Sequence, residues 1–482
     1  MHQKKINVSN ERYRLGYHIS APGGWINDPN GFCYFKGYYH VFYQYYPYDS
    51  NWGPMHWGHV RSKDLINWET LPIALTPDTE GIDEGGCFSG SAIVKENKLY
   101  LIYTGHHYYD DEDPEHFWEN QNIAVSEDGI IFEKYSNNPI IAGPPKDSTH
   151  HFRDPKVWEE DGNYYMILGN QRNDGKGRVI LYKSQNLFDW EYLQEMTHSK
   201  TIETEGFMWE CPDYFSLDGK DVLLFSPQGV KPQRNKYLNL FQTGYFVGDF
   251  NRTTKKFERD EFKELDFGHD FYATQTMLAP DGRRLLFAWM AMWENHMPEK
   301  EDGWAGALTF PRELKIKNEK LLMTPIREIK NLRIRKISQG LINHEKTLLL
   351  DGQINTAELK FNIITNENFK LIVSESLDKH ILSLSYNKDN NIFELERSDY
   401  EGDNRFAKLT DHTDNFNFHI LLDTSSLEIF INNGEVVFTE RFYSNEKPNL
   451  SLEIQNRTTS VFLGEFESYE LDSNAVSSKK GE

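Results

Sequence analysis

The chain is predicted to be all-β, with a five-bladed β-propeller followed by a C-terminal β-sandwich. Three observations carry this expectation. β-rich runs recur about every sixty residues through the first two thirds of the chain. Two further motifs repeat in the same phase, and no helical periodicity competes with them. Beyond about residue 340 the repeat gives way to short alternating strands.

The runs are Tyr38–Tyr43, Leu99–Tyr103, Tyr164–Leu168, Val222–Phe225 and Leu285–Trp289, whose first residues lie 61, 65, 58 and 63 positions apart. A second series, Ser62–Trp68, Ser126–Phe132 and Ser184–Trp190, reads as a hairpin turn leading into a strand anchored by an aromatic ring. A third precedes each run: Asn27-Asp28-Pro29, Phe88-Ser89-Gly90, Arg153-Asp154-Pro155, Glu210-Cys211-Pro212 and Asp270-Phe271-Tyr272. A two-sheet sandwich with coincidental spacing is the competing reading, and the shared phase of three features favours the propeller. The expected domains are 1–320 (propeller), 321–340 (a Lys/Arg-rich linker) and 341–482 (sandwich). The hairpin signal Asn432-Asn433-Gly434 belongs to the sandwich. The polar tail after Leu471 is expected to be loose.

Composition narrows the function. Among 482 residues, 52 are basic and 74 acidic, a net charge of −22, which disfavours nucleic acid and anionic membrane surfaces as partners. No run approaches the ~18 apolar residues of a membrane span. The opening residues lack an apolar secretion segment, and Cys33, Cys87 and Cys211 form no CxxC pair, so a reduced, cytoplasmic protein without a thiolate metal site is expected. His56/His59, His106/His107 and His150/His151 lack the spacing of a metal site and read as polar packing. Nothing in the sequence indicates an oligomeric state.

In a propeller the inner strands face one axis, so the third series brings Asp28, Asp154 and Glu210 together. Three carboxylates in one funnel suit glycoside chemistry, in which an ionised carboxylate meets an oxocarbenium-like centre and a protonated one serves the leaving oxygen. Taken alone, Asp28 in Trp25–Gly31 could be a structural turn aspartate, and Arg153-Asp154 a structural charge pair. Glu210, between Trp209 and Cys211, makes better sense facing a cavity. Trp25, Trp52, Phe88, Tyr272, Trp293 and Trp304 lie near funnel-facing segments and could form a sugar platform, whereas Trp68 and Trp190 read as core anchors. A non-catalytic sugar-binding propeller would need the aromatics but not three acids in phase. A five-bladed arabinanase or xylosidase would use a similar acid trio.

The motifs together resemble glycoside hydrolase family 32, the invertases, sucrose-6-phosphate hydrolases, inulinases and levanases. Trp25–Gly31 is similar to the family's sucrose-binding box, with Ile26 where Met is common; Arg153-Asp154-Pro155 and Glu210-Cys211 are similar to its RDP and EC motifs. Phe42–Gln44, Trp57–His59, Phe88–Ser91, Asp270–Ala273 and Gly303–Gly306 also look like family segments, and Ser425–Gly434 resembles part of its C-terminal domain. The resemblance implies a retaining β-fructofuranosidase without metal or organic cofactor. Asp28 would be the nucleophile, Glu210 the acid/base, and Asp154 a stabiliser that holds fructose hydroxyls. Trp25, Asn27, Gln44, Trp52, Phe88, Ser89, Arg153, Tyr272 and Trp293 would line the sugar site. Sucrose, sucrose 6-phosphate and short fructo-oligosaccharides are the substrates it implies, with transfer to sugar in place of water left open. A phosphate would need a local cation, for which Arg61, Lys63, Arg172, Lys231 and Arg234 are candidates.

Overall fold

The computed structural model describes residues 4–109, 113–340, 346–350, 354–376, 379–444, 446–454, 462–463 and 466–477. Its regular structure is almost all strand; the α-helix among the described residues is the single turn Ile202–Glu205. Five sheets follow one another as far as Pro325, and two more are built from Arg333 onward.

The first strands of the five sheets are Gly24–Phe35, Gly86–Lys95, Ser148–Glu160, Met208–Leu217 and Tyr272–Leu278. Each packs against the next, and the last packs back on the first, so these inner strands close a ring. The repeated β-rich runs are the second strands, which explains their near-continuous apolar character. Leu99, Leu101 and Tyr103 enter the core shared with the first sheet, while Tyr100 and Ile102 enter the core shared with the third. A strand buried on both faces has no polar side to show.

The serine repeats are one turn built three times. Ser62, Ser126 and Ser184 Oγ accept the backbone N–H of Leu65, Gly129 and Leu187 at 2.9, 2.8 and 3.0 Å. Each of these three residues has positive φ, at 70°, 75° and 78°. Asp64, Asp128 and Asn186 Oδ1 cap the next turn. Trp68 and Trp190 donate their indole N–H to the carbonyls of Leu65 and Leu187.

Each inner strand carries a β-bulge, where one extra residue disturbs the pairing and re-aims the side chains. The bulges fall on Asn27-Asp28, Phe88-Ser89, Asp154-Pro155, Cys211-Pro212 and Ala273-Thr274. The fifth copy of the motif is therefore Tyr272-Ala273-Thr274, two residues later than the expected Asp270-Phe271-Tyr272.

The segment 321–340 is not a linker. Lys320–Pro325 is the outer strand of the fifth sheet, paired with Arg312–Lys317 through a tight turn in which Asn318 and Glu319 both have positive φ. The Lys/Arg-rich character of the chain from Pro311 to Ile337 obscured the alternation of Leu314, Leu321 and Met323 into the core. A 3-10 turn at Arg327–Leu332 follows, and Arg333–Gly340 already belongs to the first C-terminal sheet. That sheet and its six-stranded partner share one core, including Leu359, Phe361, Phe418, Leu371, Leu384 and Phe393. Asn432, Asn433 and Gly434 make the expected turn, all with positive φ. The tail is not loose as far as residue 477: Val476–Ser477 pairs in parallel with the first sheet at Trp68–Glu69, and Ala475 is buried.

Buried charges join the two halves. Arg312 pairs with Asp266 at 3.0 Å and Glu428 at 2.6 Å, and His18 lies between Asp423 and Glu428, both at 2.7 Å. Burial opposes charge on His18, but the two carboxylates outweigh it and raise its pKa to about 9. Asp270 accepts Arg397 Nη1 and the Arg441 backbone N–H, each at 2.8 Å. It ties the C-terminal sheets to the strand that carries Tyr272.

Candidate active site

The bulges of the first, third and fourth inner strands bring Asp28, Asp154 and Glu210 to one end of the ring. Asp28 Oδ2 accepts Ser89 Oγ–H at 2.7 Å, and Oδ1 accepts Asn27 Nδ2–H at 3.1 Å. Asn27 is itself oriented by the indole N–H of Trp25 at 2.8 Å. Cys211 spans the two aspartates: its backbone N–H reaches Asp154 Oδ2 at 2.8 Å, and its thiol lies 3.5 Å from Asp28 Oδ2. Asp154 and Cys211 both sit at positive φ, 66° and 48°. Such backbone persists only where the surroundings enforce it. Here the Asp154 N–H donates to Thr104 Oγ1 at 3.1 Å.

Glu210 is held from three sides. Arg153 Nε and Nη2 both donate to Oε1 at 2.9 Å, Gln228 Nε2 donates to Oε2 at 3.0 Å, and the Tyr272 hydroxyl donates to Oε2. Behind the guanidinium stand His151 Nδ1 at 3.0 Å and Glu119 at 3.6 Å. Burial alone would favour the neutral Glu119 carboxyl, but the Arg153 charge and the His106 hydrogen bond hold it at about 2. Glu119 is thus a permanent counter-charge that fixes Arg153.

The aspartates behave in the opposite way. Burial, and then the charge of Glu210, raise the pKa of Asp28; the bonds from Ser89, Asn27 and Cys211 oppose that rise. The same two causes push Asp154 up to about 8, against the pull of Arg153. Arg153 thus does not cancel the burial and mutual repulsion that raise the Asp28 and Asp154 carboxyls.

The predicted sugar-site residues are distributed as follows. Trp25 stacks on Trp293 at 5.9 Å and 19°, and Tyr272, Phe88 and Cys211 share their apolar cluster. Phe88 lies flat on His106 at 4.1 Å, and Trp52, 39% exposed, meets Phe88 edge-on at 6.1 Å. Trp52 is thus an aromatic edge open to solvent beside the acids. Gln44 is buried and donates Nε2–H to the Cys87 carbonyl at 2.9 Å, so it braces the second inner strand. Trp304 is not part of the platform: it is fully buried in a separate cluster beneath Arg14 and Arg441.

Sequence reading missed Thr104, Glu119 and Gln228. A signal for Gln228 existed, because Gln44, Asn170 and Gln228 are each the sixth residue after the start of a β-rich run. All three amides reach inner-strand groups: the Cys87 carbonyl, the His151 carbonyl and the Glu210 carboxylate. The paired histidines have other partners: His106 bonds Glu119, His107 the Ile82 carbonyl, His151 Arg153 and His59 His40. Among the described residues no group of three or more His, Cys, Asp or Glu side chains could hold a metal ion, and no helix is long and apolar enough to cross a membrane.

Comparison with known proteins agrees with this geometry. Residues 18–325 match the glycosyl hydrolases family 32 N-terminal domain, and residues 328–470 match the family 32 C-terminal domain. Sucrose-6-phosphate hydrolase of Zymomonas mobilis is 39% identical over 459 residues, covering 92% of this chain and 88% of the relative. The enzyme of that name from Bacillus subtilis is 39% identical over 454 residues, covering 92% and 91%. Among solved structures, the β-fructofuranosidase of Bombyx mori, as a mutant in complex with sucrose, superposes with a TM-score of 0.86 at 39% identity, covering 97% of this chain and 96% of that one. With both domain models matched in order and the acids of the resemblance gathered at one end of the ring, the chain belongs to glycoside hydrolase family 32.

Proposed function

We propose that this protein hydrolyses the fructosyl bond of sucrose 6-phosphate or sucrose, with retention, through a covalent fructosyl–enzyme. The observation that carries the reading is the linked carboxylate cluster, in which Asp28 bonds Ser89 and Asn27, Glu210 bonds Arg153 and Tyr272, and Cys211 joins Asp28 to Asp154. Asp28 attacks the anomeric carbon while Glu210 delivers a proton to the departing glucosyl oxygen. Once the ester forms, Asp28 has lost its charge and Glu210 has lost its proton. Arg153 then stabilises the new carboxylate, which takes a proton from the incoming water. Asp154 accepts sugar hydroxyls, and Trp25, Phe88 and Trp52 supply apolar contact for the ring faces.

The supporting framework is read as a five-bladed propeller formed by the five ringed sheets, joined through Arg327–Leu332 to a β-sandwich that begins near Arg333. A sugar phosphate does not cross membranes unaided, so this substrate class goes with a cytoplasmic location.

Initial rates of fructose release from both sugars test the proposal. Asp28→Asn is expected to lower kcat by at least about 10³-fold. Glu210→Gln should be far more damaging with sucrose than with an aryl fructoside whose leaving group needs no proton. Asp28→Asn at wild-type rates would overturn the assignment.

A further inference from the structure

The candidate cations for a phosphate group fall into two classes once their surroundings are known. Arg61 is paired with Glu69 at 2.9 Å and lies over Tyr38, as does Lys63, on the first sheet away from the acids. Arg172 is paired with Asp174 at 3.2 Å and Glu195 at 3.4 Å. Lys231 and Arg234 differ. They sit with Lys236 on the excursion 229–241, all three are exposed, and none has an ion-pair partner among the described residues. That excursion contains no acidic residue, in a chain whose net charge is −22.

The excursion leaves and rejoins the site at Glu210. It starts immediately after Gln228, whose amide bonds the Glu210 carboxylate at 3.0 Å. It ends at Phe241, which bridges back to Gln228 and whose ring lies 6.1 Å from that of Tyr272, another Glu210 partner. Its shoulders are built, not slack. The Lys231 N–H donates to the Glu203 carbonyl at 2.9 Å, and Tyr237 is buried with its N–H on Glu264 at 2.8 Å. Gln233 and Lys236 close the tip through two 3.0 Å backbone bonds, with Arg234 between them at φ 54°. The excursion therefore presents Lys231 from its shoulder and Arg234 from its tip, both on backbone held by hydrogen bonds.

Glu210, as the acid, marks the side of the site where the leaving group departs. A further cation, Lys300, lies over Trp25 at 5.1 Å, on the Asp28 side, where the fructosyl unit must sit. A phosphate on the glucosyl carbon 6 belongs to the leaving group. We propose that loop 229–241 is the phosphate-recognition element of this enzyme: Lys231 and Arg234 receive the 6-phosphate of the departing glucosyl unit. This rests on the hydrolase reading above and commits it to sucrose 6-phosphate as the preferred substrate. A phosphate dianion is matched by two cations, one of them a guanidinium that can bind two oxygens at once. The local positive charge also offsets the repulsion that a strongly acidic chain exerts on a charged sugar.

The test measures kcat/KM for sucrose and for sucrose 6-phosphate on the wild type, Lys231→Ala/Arg234→Ala, Lys300→Ala and Asp28→Asn. The wild type is expected to prefer the phosphate by about tenfold or more, with that preference shrinking as salt is added. The double variant should lose most of the preference through KM, with its sucrose rate within about twofold of wild type, which also shows that it folds. Lys300→Ala should keep the preference. A wild type without preference, a double variant that keeps it, or a parallel fall on both sugars overturns this inference while leaving the hydrolase reading intact. No turnover of either sugar by the wild type, with Asp28→Asn no different, overturns the hydrolase reading itself.

Discussion

Removing one hydroxyl, in Ser89→Ala, tests the electrostatics of the site. Ser89 Oγ lies 2.7 Å from Asp28 Oδ2, and Ser89 is 5% exposed, so water does not readily replace the lost donor. A hydrogen bond to an ionised group contributes about 1.5–3 kcal/mol. Asp28 is already pushed upward by burial and by Glu210, and the Ser89 bond is one of the contacts opposing that rise. Its loss therefore raises the Asp28 pKa further. At about 1.4 kcal/mol per pH unit, the lower end of the range moves it by roughly one unit. Because the nucleophile must be ionised in the free enzyme, the acidic limb of the pH profile of kcat/KM should move up by about that amount. The assay is the full pH profile on the better of the two sugars, with thermal unfolding as the check on folding. An acidic limb that stays put, or moves to lower pH in a folded variant, would refute the argument that Ser89 holds the ionised Asp28.

Thr104→Val deprives the strained Asp154 N–H of its acceptor, and also removes a 2.7 Å bond to Gln121; a loss of about 1–3 kcal/mol in urea unfolding is expected, with a fall in kcat. Gly169→Ala places a methyl 2.1 Å from the Trp209 carbonyl, next to Glu210; it should cost about 1–3 kcal/mol by overpacking and reduce turnover, as unfolding and rate measurements on one preparation would show. His18 has a folded pKa of about 9 against an ordinary 6.5, so its stabilising contribution, about 3 kcal/mol, is full below pH 6.5 and is lost as pH rises through 9. His18→Gln should flatten that part of the stability profile in denaturant titrations across pH 6–10.

Much of this architecture was legible because the repeat is written in residues whose jobs are local. A serine and an Asx two positions later make their turn with their own backbone, so Ser62, Ser126 and Ser184 announce it without tertiary help. The second strands show as apolar runs because both of their faces are buried between neighbouring sheets. What was not legible depends on distant partners. The Lys/Arg-rich run from Pro311 to Ile337 made the outer strand Lys320–Pro325 look like the start of a linker, because its charges mask an inward alternation that only the finished core reveals. Trp304 read as a sugar platform because a ring gives no sign of which side of the ring of sheets it will face; Arg14 and Arg441 claim it. The fifth motif was placed two residues early because nothing local marks the bulge at Ala273-Thr274, and the partners of Asp270, Arg397 and the Arg441 backbone, lie more than a hundred residues further along the chain.

The bulges explain how a repeated backbone yields an unrepeated site. In the third, fourth and fifth strands the residues just before the bulge are Arg153, Glu210 and Tyr272, and these bond to one another across successive sheets. The bulge residues themselves, Asp28, Ser89, Asp154 and Cys211, form a second chain linked through Ser89–Asp28, Asp28–Cys211 and Cys211–Asp154. The two acids of that second chain are joined by short side chains, Ser89 and Cys211, which bond the carboxylates directly. One backbone device, filled differently five times, therefore separates the tasks. In the proposed mechanism the Arg153–Glu210–Tyr272 chain would serve proton transfer at the leaving oxygen, and the Ser89–Asp28–Cys211–Asp154 chain would hold the nucleophile and its stabiliser.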